Sequence, residues 1–266
     1  MPMLRAMRYL LTAALFSLAG CAHKAPEPAS PPSSASGAAA SSAQAIIDAP
    51  DRLEADRALD KGRHPAALLE FVGVQPGMKV AELMAGGGYT TELLARAVGP
   101  QGVVYGQNPK VVLERFAEKP WSERLARPIN QNVVRVDREF EEPLPPEATG
   151  LDAVVSNIIY HDIVWIGGDR AKMNAAIFRA LKPGGAYIVI DSSARPGTGV
   201  SDVQTLHRID EQVVRDEVLA AGFQLGEESK VWRNPEDTRD WSSSPGAAGE
   251  RRGTSDRFAL KFIKPQ

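Results

Sequence analysis

Residues Val80 to Thr91 read Val-Ala-Glu-Leu-Met-Ala-Gly-Gly-Gly-Tyr-Thr-Thr. The preceding Lys79 to Leu83 is a short apolar run carrying one acid, Glu82, near its end, which suits a buried strand. Gly86, Gly87 and Gly88 follow almost at once. Tyr89, Leu93, Leu94, Ala97 and Val98 then recur at helical spacing. The order is therefore strand, glycine turn, helix. Glycines at such a junction permit a tight turn and a close approach of backbone to a ligand. The helix N-terminus behind them offers free N–H groups and the positive end of a dipole.

The same alternation continues outward from this stretch. Upstream, Ala49 to Asp60 has a charged helical pattern, and Ala66 to Phe71 reads as a short helix opened by Pro65. Downstream, strands are expected at Val103 to Gly106, Asn132 to Val136, Leu151 to Ile158 and Ala186 to Ile190. Helices are expected at Lys110 to Glu118, Asp169 to Leu181 and Asp210 to Ala221. Phe223 to Val231 and Arg257 to Ile263 supply the last strands, separated by an insertion containing Trp232, Asp237 and Trp241. Continuous apolar strands alternating with helices imply a parallel sheet covered on both faces. Ligands of such sheets bind beyond the carboxyl ends of the strands. Glu82, Gly86 to Gly88, Gln107, Asp137, Asn157 and Asp191 all fall at that edge.

Length and composition suit one domain with a sizeable core, and a net charge of −2 gives no sign of a nucleic-acid partner. The N-terminus is set apart. Arg5 and Arg8 precede an apolar stretch from Tyr9 to Leu18 that is too short to span a bilayer. It ends in Leu18-Ala19-Gly20-Cys21, which resembles the lipobox of bacterial lipoproteins and contains the chain's single cysteine. That resemblance implies a signal peptide over residues 1–20 and lipidation of Cys21. Residues 21–43, rich in Ala, Pro and Ser, read as a flexible tether, and the folded domain is expected over 44–266. Ala22 after the cysteine favours, by the same resemblance, the outer membrane of a bacterial envelope, with the domain in the periplasm.

The Val-Ala-Glu-Leu-Met-Ala-Gly-Gly-Gly turn, the Leu181-Lys182-Pro183-Gly184-Gly185 step and the terminal hairpin resemble class I S-adenosylmethionine-dependent methyltransferases. More narrowly, Tyr160-His161-Asp162, His207-Arg208-Ile209-Asp210 and Asp256-Arg257-Phe258 resemble a bacterial group of "predicted methyltransferases". The resemblance covers Gly73 to Lys264. It implies a Rossmann-like, mostly parallel seven-stranded sheet with helices on both faces and a C-terminal antiparallel hairpin. It implies S-adenosylmethionine as cofactor and a small molecule or envelope component as methyl acceptor. Glu82 and the Gly86, Gly87 and Gly88 backbone would hold the amino-acid end of the cofactor. Gln107 or Asn108 stands where the family carries an acid for the ribose. Asp137 would face the adenine, and Met84 replaces the first motif glycine. Asn157, ending the fourth strand, joins the cofactor-binding candidates.

His161 is the candidate base, since it follows the fourth strand and an imidazole titrates near neutrality. Asp162 would orient it, His207 would share the site with it, and Tyr160 would stack on a bound ring. Structural roles stand beside these. Asp210 can cap the following helix, Lys182 to Gly185 can be a plain turn, and Trp165, Trp232 and Trp241 can be packing anchors. Two other functions fit the same residues. One is a binding protein that keeps the fold without transfer. The other is a metal-dependent hydrolase using His161, Asp162, His207 and Asp210, although that spacing matches no metal motif and no metal ligand is assigned from sequence.

Overall fold

The computed structural model describes residues 43–266. The leader at 1–20, Cys21 and the tether up to residue 42 lie outside the described residues. A helical turn at 43–47 leads into α1 (Glu54–Arg63) and α2 (Pro65–Val72). Then follow β1 (Lys79–Glu82), α3 (Tyr89–Val98), β2 (Val103–Asn108) and the single turn α4 (Lys110–Val112). A π-helical segment, Leu113–Ala117, joins α4 to α5 (Glu118–Leu125). The second half contains β3 (Val133–Asp137), β4 (Leu151–Asn157), α6 (Tyr160–Ile166), α7 (Arg170–Ala180) and β5 (Leu181–Ser192). It ends with α8 (Val203–Leu206), α9 (Glu211–Ala220), β6 (Gln224–Ser229) and β7 (Arg257–Ile263). Among the described residues, no helix is long and apolar enough to cross a membrane.

The seven strands form one sheet in the order β3-β2-β1-β4-β5-β7-β6. The first five are parallel, and β7 inserts antiparallel between β5 and β6. Side-chain alternation divides the core between the two faces. Ala81, Val154, Tyr187 and Val189 pack on the face covered by α6, α7 and α9. Val80, Val155, Ile188 and Ile190 pack on the face covered by α2 and α3. A strand buried on both sides can afford no polar break, which is why these strands read as continuous apolar runs. The chain reverses direction across the sheet between β1 and β4. That switch point opens a crevice at the carboxyl ends of the two strands.

Three local features depart from the sequence-based expectation. The helix expected to end at Glu118 continues through Leu125, with Pro120 in the first turn of α5, where proline is tolerated. Residues Tyr160 to Ile166, to which the sequence reading assigns no element, form α6. The residue before α6 is Ile159, which offers no side-chain cap. The cap comes from Asp191 on β5, whose Oδ2 accepts the His161 N–H at 2.9 Å. Finally, β5 begins at Leu181, and Lys182 to Gly185 form a bulge opposite β4 between the pairs Leu151–Leu181 and Ala153–Ala186. A Cβ on Gly185 would lie 2.9 Å from the Leu151 carbonyl oxygen, so the bulge requires glycine there.

Candidate functional site

A cavity of about 1110 Å³ lies over the carboxyl ends of β1 and β4. Its floor is the turn after β1, its sides are α4 to α5 and α6, and its roof is the insertion between β6 and β7. The turn has three left-handed residues in alternation: Met84 at φ +50°, Gly86 at +57° and Gly88 at +81°. Three cavity-lining residues other than glycine, Met84, Ile158 (φ +62°) and His207 (φ +50°), hold this unfavourable conformation. Backbone strain of this kind concentrates where structure is held for function.

Gln107 and Asn108 splint the turn and do not line the cavity. Gln107 Oε1 accepts the Met84 N–H at 2.9 Å while its Nε2 donates to the Arg138 carbonyl at 2.5 Å. Asn108 Oδ1 accepts the Gly86 N–H at 2.8 Å and its Nδ2 donates to the Gly86 carbonyl at 3.2 Å. Both side chains are fully buried. Each position needs a donor as well as an acceptor, which an amide supplies and a carboxylate does not. The expected ribose contact is thereby replaced by a backbone brace. Asp137 is exposed and paired with Arg135 Nε at 2.9 Å, away from the cavity lining, so it is not placed to face an adenine there. Gly88 serves packing: a Cβ on it would lie 2.6 Å from the Trp121 ring. Gly86 and Gly87 do line the cavity. Met84 lines it too, and packs against Ala85, Val112 and Leu113 beneath.

Glu82 ends β1 as a buried carboxylate. Thr91 Oγ1 donates to it, and Asn157 Nδ2 donates to Thr90 Oγ1 at 3.1 Å alongside. Burial pushes the Glu82 carboxyl up to about 7, only partly offset by the Thr91 and Thr90 hydroxyls and the more distant Arg63 and Arg124. The half-buried Arg63 guanidinium lies 4.5 Å from the centre of the Tyr89 ring. It has no ion-pair partner among the described residues, and burial lowers its pKa. Sequence reading missed Arg63, because it ends a helix that is remote in sequence from the glycine turn.

After β4, His161 is buried with Nδ1 2.6 Å from Asp191 Oδ1. Asp191 is fully buried and also accepts the Ser192 N–H at 2.6 Å. Burial alone would lower the imidazole pKa, but the Asp191 carboxylate outweighs it and raises it to about 9. His161 Nε2 lies 3.3 Å from His207 Nδ1 and 3.4 Å from Asp162 Oδ1. The sequence-based trio His161, Asp162 and His207 therefore converges on the cavity. The residue that orients His161 is Asp191, not its neighbour Asp162. Tyr160 is absent from the cavity. It is fully buried in the core, donating to Glu217 Oε2 at 2.8 Å and accepting from Asn174 Nδ2 at 2.9 Å. Asp210 is likewise outside the site. Its carboxylate caps α9 through the Gln212 N–H at 3.0 Å and binds the Gly197 N–H at 2.6 Å.

Residues 38–137 match the family profile described as protein-L-isoaspartate(D-aspartate) O-methyltransferase. A dimethylglycine N-methyltransferase of Parasynechococcus marenigrum (strain WH8102) is 30% identical over 100 residues, 32% of this chain and 36% of that protein. The chain thus matches about a third of the length of this curated relative. Among solved structures, an S-adenosylmethionine-dependent methyltransferase from Aquifex aeolicus superposes with a TM-score of 0.54 at 16% identity, over 84% of this chain and 97% of that one. A putative sarcosine dimethylglycine methyltransferase from Galdieria sulphuraria gives 0.52 at 20% identity, over 78% and 86%. The strand order, the antiparallel β7 and these neighbours together give the chain the Rossmann-like class I methyltransferase fold.

Proposed function

We propose that the chain is an S-adenosylmethionine-dependent methyltransferase acting on a small molecule, with its cofactor site between Arg63 and Glu82. The observation that carries this reading is the presence in one cavity of two opposite charges, neither of them in an ion pair among the described residues. Glu82 is a buried carboxylate with hydroxyl partners only, and Arg63 is a half-buried guanidinium without a carboxylate. Their complement is a free amino acid end, ammonium toward Glu82 and carboxylate toward Arg63. Bound there, S-adenosylmethionine supplies an electrophilic methyl group on a sulfonium centre. Gly86 and Gly87 let the rest of the ligand lie against the backbone, where any side chain would intrude.

The chain's own contribution to transfer is mainly positioning. His161, Asp162 and His207 line the same cavity as Glu82 and would face the acceptor. In the cation-free site Asp191 keeps His161 protonated to about pH 9. At neutral pH the Nε2–H then orients an acceptor by donation and does not take a proton from it. This replaces the expected role of His161 as base at neutrality. Calorimetry of the purified protein with S-adenosylmethionine and S-adenosylhomocysteine tests the reading, with Gly87→Arg as control. Saturable binding that the control loses supports it. A folded protein that binds neither ligand up to millimolar concentration sinks it.

A binding protein that keeps the fold without transfer is the second reading, favoured by Met84 in the floor of the cavity. Tight cofactor binding with no methyl transfer across a broad acceptor screen would select it. We further propose, from Leu18 to Cys21, that the mature chain is lipid-anchored at Cys21 in a bacterial envelope, with the domain facing the periplasm. Membrane fractionation of wild type and Cys21→Ser tests this. Release of the variant into the soluble fraction is expected, and equal fractionation of both overturns it.

A further inference from the structure

We propose that His161 Nε2, His207 Nδ1 and Asp162 Oδ1 form a site for one divalent transition-metal ion of the zinc type, with its fourth position open to the cavity. The three atoms make a nearly equilateral triangle. Its edges are 3.3 Å between the two imidazole nitrogens, 3.4 Å from His161 to Asp162 and 3.5 Å from His207 to Asp162. The edge between the imidazoles has the length of a long N–H···N hydrogen bond, whereas the two histidine–carboxylate edges exceed the about 2.7–3.2 Å of good N–H···O bonds. Metal–nitrogen and metal–oxygen bonds of about 2.0–2.1 Å in a tetrahedron require ligand–ligand edges of about 3.3–3.4 Å. An ion centred just off the triangle would therefore stand at bonding distance from all three atoms.

The surroundings hold the triangle in the form a metal requires. His161 Nδ1 is engaged by Asp191 at 2.6 Å, so Nε2 is the ring nitrogen toward the cavity, where a divalent ion would bind in exchange for its proton. A carboxylate behind a ligating histidine is the usual support of a metal site. His207 is fixed from its backbone: it adopts the left-handed conformation, and Ser243 Oγ donates to its carbonyl at 2.6 Å. The Trp165 ring packs edge-on against it with centroids 5.0 Å apart. Two imidazoles and one carboxylate suit zinc, iron, cobalt or nickel better than magnesium or calcium, which favour all-oxygen shells. All three side chains line the cavity, so an ion has an entry path and its open position faces the acceptor space. Sequence reading named these three residues with Asp210 as one alternative but could not isolate the set, since two ligands are adjacent on one helix, the third comes from a loop beyond β5, and Asp210 caps α9 instead.

The proposal does not depend on methyl transfer, and its test uses no cofactor. Full-length protein stripped with chelator is titrated with Zn²⁺, Co²⁺ and Mg²⁺ separately by calorimetry. One equivalent of Zn²⁺ and of Co²⁺ is expected, with Co²⁺ giving the intense visible absorption of a tetrahedral complex, and no comparable Mg²⁺ binding. His207→Ala and Asp162→Asn, checked for folding by circular dichroism, should each weaken Zn²⁺ at least tenfold. Asp191→Asn should weaken it by about 10- to 100-fold through loss of support for His161. X-ray absorption of wild-type protein loaded with one equivalent of Zn²⁺ keeps the test independent of variant folding. Two imidazoles and a four-coordinate shell support the site. Absence of stoichiometric Zn²⁺ and Co²⁺ binding, binding undiminished in folded variants, or a shell without two imidazoles overturns it. Titration of S-adenosylmethionine into the same samples reports separately on the methyltransferase reading.

Discussion

Glu82 holds the cost of the cofactor site in a single side chain. Its native pKa near 7 lies above the ordinary 4.5, so between those values the folded chain retains a proton that the unfolded chain has released. Stability therefore falls as pH rises from about 4.5 through 7. Glu82→Gln keeps an oxygen to accept from Thr91 and removes the charge. It should stabilise the cofactor-free protein by about 3 kcal/mol near pH 8 and leave it unchanged near pH 4. The same variant should bind S-adenosylmethionine about 10- to 100-fold more weakly, the worth of a charge-assisted hydrogen bond. Denaturant melts at the two pH values and calorimetry check both halves; undiminished affinity would remove Glu82 from the ammonium site. His161 has the opposite sign. Its pKa is raised from 6.5 to about 9, so its pairing with Asp191 stabilises fully below 6.5 and fades as pH rises through 9. In chelator-treated protein, Asp191→Asn should cost about 3–5 kcal/mol near pH 6, and the cost should shrink above pH 9. A penalty that does not vary with pH would mean that Asp191 acts only as the cap of α6. Glu82 and His161 were legible because each stands at the end of an apolar strand segment. Arg63 was not, since it ends a helix remote in sequence from the glycine turn; Asp191 was placed at the strand edge, but its pairing with His161 was not legible, since only the strand order sets β5 beside β4. Gln107 and Asn108 were misassigned because sequence does not say whether a buried amide faces a ligand or the backbone.

At the scale of elements, the strands and α3 were legible because burial on two faces imposes a continuous apolar pattern. The segment from α4 to α5 was only half legible, since its packing depends on glycines in other elements. Trp121 on α5 is fully buried in a slot made by Gly88 and Gly106. A Cβ on Gly106 would stand 2.6 Å from Trp121 Cη2 and 2.8 Å from Cζ2. Arg124, one turn further along α5, donates to the Gly87 carbonyl at 2.6 Å and to Asp56 and Glu92 at 2.6 and 2.8 Å. Helix α5 thus clamps the glycine turn while its Pro120 and Arg124 line the cavity. Gly106→Ala should push α5 outward, destabilise the protein by about 1–3 kcal/mol and weaken cofactor binding, although residue 106 does not line the cavity. Gly246→Ala, which meets nothing within 4 Å, should change stability by less than about 0.5 kcal/mol. Trp121→Phe in the Gly106→Ala background should recover part of the loss, giving a coupling energy in a double-mutant cycle. Strict additivity of the two substitutions would refute the slot.

For the whole molecule, the question is what joins the roof of the cavity to its floor. The insertion between β6 and β7 carries the roof, and among its ties the fully buried one is the Arg208–Asp237 ion pair. Asp237 accepts from Arg208 Nη1 at 2.8 Å, from the Asp256 N–H at 2.6 Å, from the Arg239 N–H at 3.0 Å and from Trp241 Nε1 at 2.7 Å. Both members of the pair are shielded from solvent. Arg208 follows His207 directly, so the pair that anchors the roof also fixes a residue facing the acceptor space. Asp237→Asn removes the charge but keeps a similar shape. It leaves the Arg208 cation buried without a counter-ion, a change that costs about 3–5 kcal/mol. Trp232 roots the start of the insertion in the core, and beyond it the insertion is held mainly by polar contacts around Asp237 and Asp256, so the cost should appear first as local opening and only later as global unfolding. Limited proteolysis of Asp237→Asn should cut within residues 233–254 well before the rest of the chain, at temperatures where its circular dichroism still matches wild type. S-adenosylmethionine should slow that cleavage, because a ligand held between floor and roof is lost when the roof opens. If the variant is cleaved only in step with global unfolding, the insertion is an integral part of the core, and ligand access to the cavity must come from another element.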